Sequence, residues 1–137
     1  MVKEFWLNLP VKDIKKSRAF FDKLGFKFNT QNGNTDTSAA LMVGEKNVVV
    51  MLFEEPAFKG FTNTEVADTK QGTEVLLSFD AQSKEEVDAM AQKAIEAGGK
   101  TDHKPYEMQG WMYGCVFTDI DGHKWNVLHM DYSKMPK

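Results

Sequence analysis

The chain opens on Phe5-Trp6-Leu7-Asn8-Leu9-Pro10-Val11-Lys12-Asp13 and continues from Ile14 to Gly25. Phe5, Leu7, Leu9 and Val11 alternate with Trp6, Asn8 and Pro10, the period of a strand with one apolar face. Pro10 has no N–H to donate, which places it near a strand end or a sheet edge. Asp13 is a helix N-cap. Ile14, Ala19, Phe20, Phe21 and Leu24 are the buried stripe of a helix that stops at Gly25. Strand, helix and glycine stop form the pattern from which the rest of the chain is read.

Three further strands follow. Phe26 to Phe28 starts the second, Gln31 to Asn34 turns the chain, and Ser38 to Val43 is the third. Gly44-Glu45-Lys46-Asn47 is a hairpin turn. Val48 to Phe53 is nearly continuous apolar sequence, as expected of a strand with both sheet faces covered. The order then repeats. Glu74 to Asp80 reads as a strand with Val75, Leu77 and Phe79 on one face. Ser83-Lys84-Glu85-Glu86 is a capping box. Val87, Met90, Ala91, Ala94 and Ile95 form a helix stripe ended by Gly98-Gly99. Lys100 to His103 and Tyr113 to Thr118 are strands, Asp121-Gly122 is a tight turn, and Lys124 to Met130 is the last strand. The expectation is a single α+β domain over residues 1–137. It contains two βαβββ modules, 1–55 and 73–132, and a linker, 56–72. So long a connection is usually functional or docks somewhere. It carries Phe58 and Phe61, and Thr62 to Asp68 has room for one helical turn.

Composition narrows the function. A chain of 137 residues buries roughly two-thirds of its unfolded surface, so no disulfide or structural metal is required. With 17 basic and 20 acidic residues the net charge is −3, which does not favour nucleic acid or an anionic membrane surface. Cys115 is the only cysteine, so an intrachain disulfide is impossible. No stretch approaches the ~18 apolar residues of a membrane span, and Met1-Val2-Lys3-Glu4 opens no signal-peptide core. A cytoplasmic location is expected.

Several motifs carry a family resemblance. Leu9-Pro10-Val11-Lys12-Asp13, Ser17, Phe20-Phe21 and Leu24-Gly25-Phe26 resemble the opening signature of the vicinal oxygen chelate superfamily, which unites glyoxalases, bleomycin-resistance proteins and extradiol dioxygenases. Val50-Met51-Leu52 with Glu54, Thr73 to Leu77, Met112-Tyr113-Gly114 and Asp119 to Trp125 resemble one bacterial branch of it, often described as predicted lactoylglutathione lyases. The resemblance implies a curved, mixed eight-stranded sheet with helices on its convex face and a concave cup for ligand. It also implies a divalent metal held by one residue from the first and fourth strand of each module. Matched by motif, those positions are Trp6, Met51, Glu74 and Asn126, where Asn126 stands in place of the Glu expected in this branch. Only Glu74 is a strong ligand for a hard or borderline cation. Trp6 cannot ligate, Met51 suits soft metals, and Asn126 offers a neutral carbonyl. No tightly bound metal or other cofactor is therefore expected. The resemblance further implies a homodimer, in which the linker is a subunit contact or a swapping arm.

The remaining candidates each have two readings. His129 falls on the strand face opposite Asn126, His123 lies in a hairpin and His103 borders a loop, so the three do not suggest a converging metal site. Cys115 reads as a small buried hydrophobe rather than a nucleophile. Glu74 is either a general acid or base with a pKa raised by burial, or a partly exposed carboxylate at a strand start. Trp6, Asn8, Met51, Phe53, Leu76, Trp111, Asn126 and Leu128 either line a binding cup or, for the apolar ones, pack a core. A floor of Trp, Met and Phe suits a planar apolar ligand. The expected function is binding of a small, planar apolar molecule without a tightly bound metal. The alternative is a lyase or isomerase with Glu74 as base and an atypical metal site.

Overall fold

A computed structural model describes residues 1–137. The chain divides into two compact units, Met1–Asp68 (unit 1) and Thr69–Lys137 (unit 2). Unit 1 contains β1 (Leu7–Val11), α1 (Ile14–Lys23), β2 (Lys27–Phe28), β3 (Ser38–Val43), β4 (Val48–Glu54) and α2 (Glu55–Thr62). Unit 2 contains β5 (Leu76–Asp80), α3 (Lys84–Glu96), β6 (Lys100–Thr101), β7 (Tyr106–Met108), β8 (Met112–Thr118) and β9 (Lys124–Met130), then a 3-10 turn at Tyr132–Lys134. The α+β class and the repeated βαβββ order are as read from the sequence.

Each unit has its own mixed sheet, in the order β1-β4-β3-β2 and β5-β9-β8-β6, with β7 also on β8. The strands thus number nine in two sheets rather than eight in one. The extra one arises at Pro105. One edge strand was expected from Lys100 to His103; instead β6 pairs with Phe117 and Thr118, and β7 with Met112 to Gly114. Between them runs Asp102-His103-Lys104-Pro105, where proline has no N–H for the ladder.

Helix signals are realised locally. The Asp13 carboxylate accepts from Lys15 N at 3.0 Å, and Glu54 Oε2 adds a second cap by accepting from Ile14 N at 3.0 Å. Gly25 ends the segment at φ +91°, where a side chain is strained. Ser83 Oγ accepts from Glu86 N at 3.1 Å, while the Glu86 carboxylate accepts from Gln82 N at 2.6 Å. The capping box therefore closes one residue upstream of its usual partner.

Unit 1 buries Leu9, Val11, Ile14, Phe20, Phe21, Leu24, Leu41, Val50 and Leu52. Phe21 meets Phe20 and Phe26 edge-on at 5.0 and 5.8 Å. Unit 2 buries Val87, Ala91, Ala94, Cys115, Phe117, Trp125 and Val127. Burial raises the pKa of the Cys115 thiol, in keeping with a packing role. Full burial of one such large side chain contributes about 1.5–3 kcal/mol.

Other expectations need correction. Phe5 lies outside β1 and is 81% exposed, because the buried face begins only at Leu9. Ile95 is exposed at the end of the α3 stripe. β4 is not covered on both faces: Val50 and Leu52 are buried, Val49, Met51 and Phe53 are partly exposed, and Val48 is exposed. Glu74 and Val75 precede β5 and are exposed. The linker's helix is not at Thr62–Asp68 but is α2, immediately after β4. Pro56 is tolerated in its first turn because no intrahelical N–H bond is made there, and Asn63, left-handed at φ +57°, ends it.

In unit 2, Asp119 organises the turn between β8 and β9. Its Oδ1 accepts from Asp121 N at 2.9 Å and from His123 N at 3.0 Å, and its Oδ2 accepts from Trp125 Nε1 at 2.9 Å. Burial pushes the pKa of this carboxyl up, against His123 and these three donors, which favour the charged form. Thr69 braces the turn by donating to the Asp121 carbonyl at 2.9 Å. Gly122 is at φ +91°, and a Cβ there would overlap Thr69 Oγ1 and lie 2.6 Å from Thr69 Cβ.

Two glycines with the same backbone angle separate strain from crowding. Gly25 has open space around it, so Gly25→Ala should lose only the left-handed penalty of about 1–2 kcal/mol. Gly122→Ala should lose roughly 1–3 kcal/mol more through overpacking. Thr69→Gly in the Gly122→Ala background should recover part of that excess. Urea midpoints of the four proteins check this; equal losses for the two alanine variants contradict it.

Candidate functional site

Parallel pairing places the candidate residues. In unit 1, Asn8 lies opposite Met51 and Pro10 opposite Phe53, so Trp6, Asn8, Met51 and Phe53 belong to the face not used by the buried Leu9, Val11, Val50 and Leu52. That face bears an open pocket of about 620 Å³, lined by Lys3, Glu4, Phe5, Trp6, Lys46, Asn47, Val48, Val49, Met51 and Phe53. Trp6 is 52% exposed and lines this pocket, outside the buried core of unit 1. Met51 is backed by Gly33, where a Cβ would sit 3.3 Å from the sulfur. Phe53 meets Phe61 of α2 edge-on at 4.9 Å, so Phe61 supports the pocket wall while remaining largely exposed.

In unit 2, Leu76 pairs with Lys124, Ser78 with Asn126 and Asp80 with Leu128. Leu76, Asn126 and Leu128 therefore share the face opposite buried Trp125 and Val127. Asn126 Nδ2 donates to Ser78 Oγ at 3.2 Å. Leu128 covers Gly114, where a Cβ would meet its Cδ1 at 2.7 Å. Trp111 stands near Tyr132 with ring centroids 6.4 Å apart, and its buried Nε1 has no hydrogen-bond partner. His103 Nδ1 contacts the Lys104 carbonyl at 2.9 Å, and His129 Nδ1 contacts the Ala81 carbonyl at 3.1 Å. His123 donates its backbone N–H to Asp119. Each histidine is thus engaged locally.

The registers also set the equivalence between units. Buried Val50 and Leu52 correspond to buried Trp125 and Val127, so Met51 corresponds to Asn126 and Asn8 to Ser78. Continued two residues back along each strand, the ladders set Trp6 and Leu76 at equivalent positions. Helix spacing agrees: the N-caps Asp13 and Ser83 each lie seven residues after Trp6 and Leu76. Of the positions matched by the family resemblance, Trp6, Met51 and Asn126 carry an indole, a thioether and a neutral amide, and Glu74 carries the one carboxylate. These residues do not fit a divalent metal that needs histidine or carboxylate ligands. No three His, Cys, Asp or Glu side chains are grouped to hold one.

A family model described as the Glyoxalase/Bleomycin resistance protein/Dioxygenase superfamily matches residues 5–127. The chain belongs to this superfamily. Among solved structures, this superfamily member is similar to a hypothetical protein, SA1046, from S. aureus, with 34% identity, a TM-score of 0.84, and 94% of this chain and 95% of that one covered. A glyoxalase/bleomycin resistance protein/dioxygenase family enzyme from Burkholderia phytofirmans shares 22% identity over 91% of this chain and 96% of its own, with a TM-score of 0.77. A fosfomycin resistance protein, FosX, from Listeria monocytogenes, complexed with Mn(II) and sulfate, shares 16% identity over 98% and 94%, with a TM-score of 0.67. These last two likenesses are of fold. No curated protein matches the chain. No helix is long and apolar enough to cross a membrane.

The sequence reading missed Lys3, Glu4, Phe5, Lys46, Asn47, Val48 and Val49 as pocket residues. The available signal was the hairpin turn Gly44–Asn47, which fixes where β4 begins, but it becomes informative only once β4 is known to pair with β1.

Tyr113, in the Met112-Tyr113-Gly114 motif, donates its hydroxyl to Asp88 Oδ1 at 2.6 Å, and Lys84, which pairs with Glu107, lies over its ring at 5.5 Å. The bond to Asp88, with lesser help from burial, pushes the phenol up to about 12. The protonated form is thereby favoured. Its contribution to stability is present below the ordinary tyrosine value of about 10 and is lost as pH rises through the folded value. In an absorbance titration, one of the three tyrosines should ionise late, and Asp88→Ala should return it to the ordinary range. Three tyrosines titrating together in the parent protein contradict this.

Proposed function

We propose that this superfamily member binds a small, planar apolar molecule in the unit 1 pocket without a tightly bound metal. The observation that carries the reading is the pocket itself. Its volume of about 620 Å³ falls within the ordinary range for small-molecule sites, roughly 300–1,000 Å³. Phe5, Trp6, Met51 and Phe53 offer flat, polarisable surface, which suits aromatic ligands. The half-exposed unit 2 face of Leu76, Asn126 and Leu128 is a further candidate ligand surface. Glu74 is exposed and stands two residues before β5. A lyase reading built on it lacks comparable support.

We also propose a homodimer. Exposed Val75 and Leu76 at the edge of the unit 2 sheet give the chain an apolar strand edge, a common pairing surface. Sedimentation at micromolar concentration should give a dimer mass; a monomer throughout overturns it.

The binding reading is tested by calorimetric titration with 2-naphthol, a neutral planar probe. Trp6→Ala and Phe53→Ala should each weaken binding about ten-fold or more, equivalent to at least ~1.4 kcal/mol. Trp6→Ala should leave thermal stability nearly unchanged because its ring is half exposed. Loss of stability with intact binding overturns the site. Dialysed protein should carry no stoichiometric transition metal, and added EDTA should leave 2-naphthol affinity unchanged.

A further inference from the structure

The pocket's charged rim supports an inference about ligand class, one that rests on the binding reading above. Three ionisable side chains line the pocket: Lys3, Lys46 and Glu4. The local balance is therefore one positive charge, on a chain whose net charge is −3. Neither lysine is engaged in an ion pair. The two lysines come from sequence positions far apart. Lys46 sits in the hairpin turn before β4, and Lys3 in the segment before β1. The parallel register that sets Leu7 beside Val50 runs these two segments alongside each other, and both lysines line the same mouth. Two lysines against one glutamate leave the pocket with an excess positive charge, which favours the arrival of an anion. Phe5, Trp6, Val48 and Met51 supply apolar lining to the same pocket.

We propose that the pocket selects planar apolar molecules bearing a carboxylate or another single anionic group. The aromatic body lies against Trp6 and Met51, and the anion reaches the mouth between Lys3 and Lys46. Glu4 opposes a second negative charge and so limits the preference to monoanions.

The test compares three probes of one shape on the intact chain by calorimetry at low salt: 2-naphthoate, 2-naphthol and 2-naphthylmethylammonium. Naphthoate should bind about five-fold or more tightly than naphthol, since each exposed charge contact contributes modestly. The ammonium probe should bind most weakly. Lys46→Gln and Lys3→Gln should each lower naphthoate affinity more than naphthol affinity, so that the naphthoate preference shrinks. Glu4→Gln should increase it, and raising the salt to 0.5 M should largely remove it by screening. Trp6→Ala should weaken both naphthol and naphthoate. If naphthol binds and loses affinity in Trp6→Ala but naphthoate is no tighter, the anion inference fails and the pocket reading stands. If the ammonium probe binds best, the inference fails and Glu4 is the reading group. If no probe binds, or none responds to Trp6→Ala, both readings fail.

Discussion

In both units the first strand lies parallel to the last, and the intervening elements form the crossover that this pairing demands. β1 runs beside β4 and β5 beside β9. The same pairing sorts side chains. Residues of one parity go to the buried face with Val50 and Leu52 or with Trp125 and Val127; residues of the other parity go to the partly exposed face. A register slip of one residue would exchange these sets, placing Trp6 and Met51 against the helix and Leu9 in solvent. The pocket is thus a consequence of the same constraint that builds the core.

The second unit adds a specific fastening. The stretch from Asp119 to Trp125 is a turn in which the Asp121 and His123 backbone N–H groups and the Trp125 indole N–H converge on the buried Asp119 carboxylate. Shortening that side chain would leave the buried indole N–H unsatisfied, at a cost of about 1–3 kcal/mol, and would free two partly buried backbone donors. The Asp-Gly-His-x-Trp motif is therefore explained by folding: Asp121 and His123 supply backbone donors, Gly122 admits Thr69, and Trp125 is core.

Features closed by neighbouring residues were legible in the sequence. Asp13, Gly25, Ser83 with Glu86, and the Gly44–Asn47 turn act within a few positions of themselves. Their elements were read to within a residue or two. Features closed by distant residues were not. The exposure of Phe5 depends on where β1 meets β4, and Glu54 caps a helix 40 positions upstream. The equivalence of Trp6 with Leu76 follows from two ladders that no local motif reports. α2 was missed because its proline, its glycine and its lack of fully buried residues weaken the helical pattern. For the candidate site, Trp6, Met51 and Phe53 were visible as residue types on one alternating face. Lys3 and Lys46 were not, because an exposed lysine acquires meaning only from what stands opposite it.

Met51 has one more implication. Its thioether forms part of the pocket lining and is backed by Gly33, so the sulfur has little space behind it. Methionine is also the side chain of this lining most readily altered by mild oxidants, which add an oxygen to sulfur and turn an apolar group into a polar one. That oxygen has room chiefly on the open side. The oxidation state of a single sulfur atom thus sets whether the pocket presents a greasy surface or a hydrogen-bond acceptor, and reductive repair would restore the former.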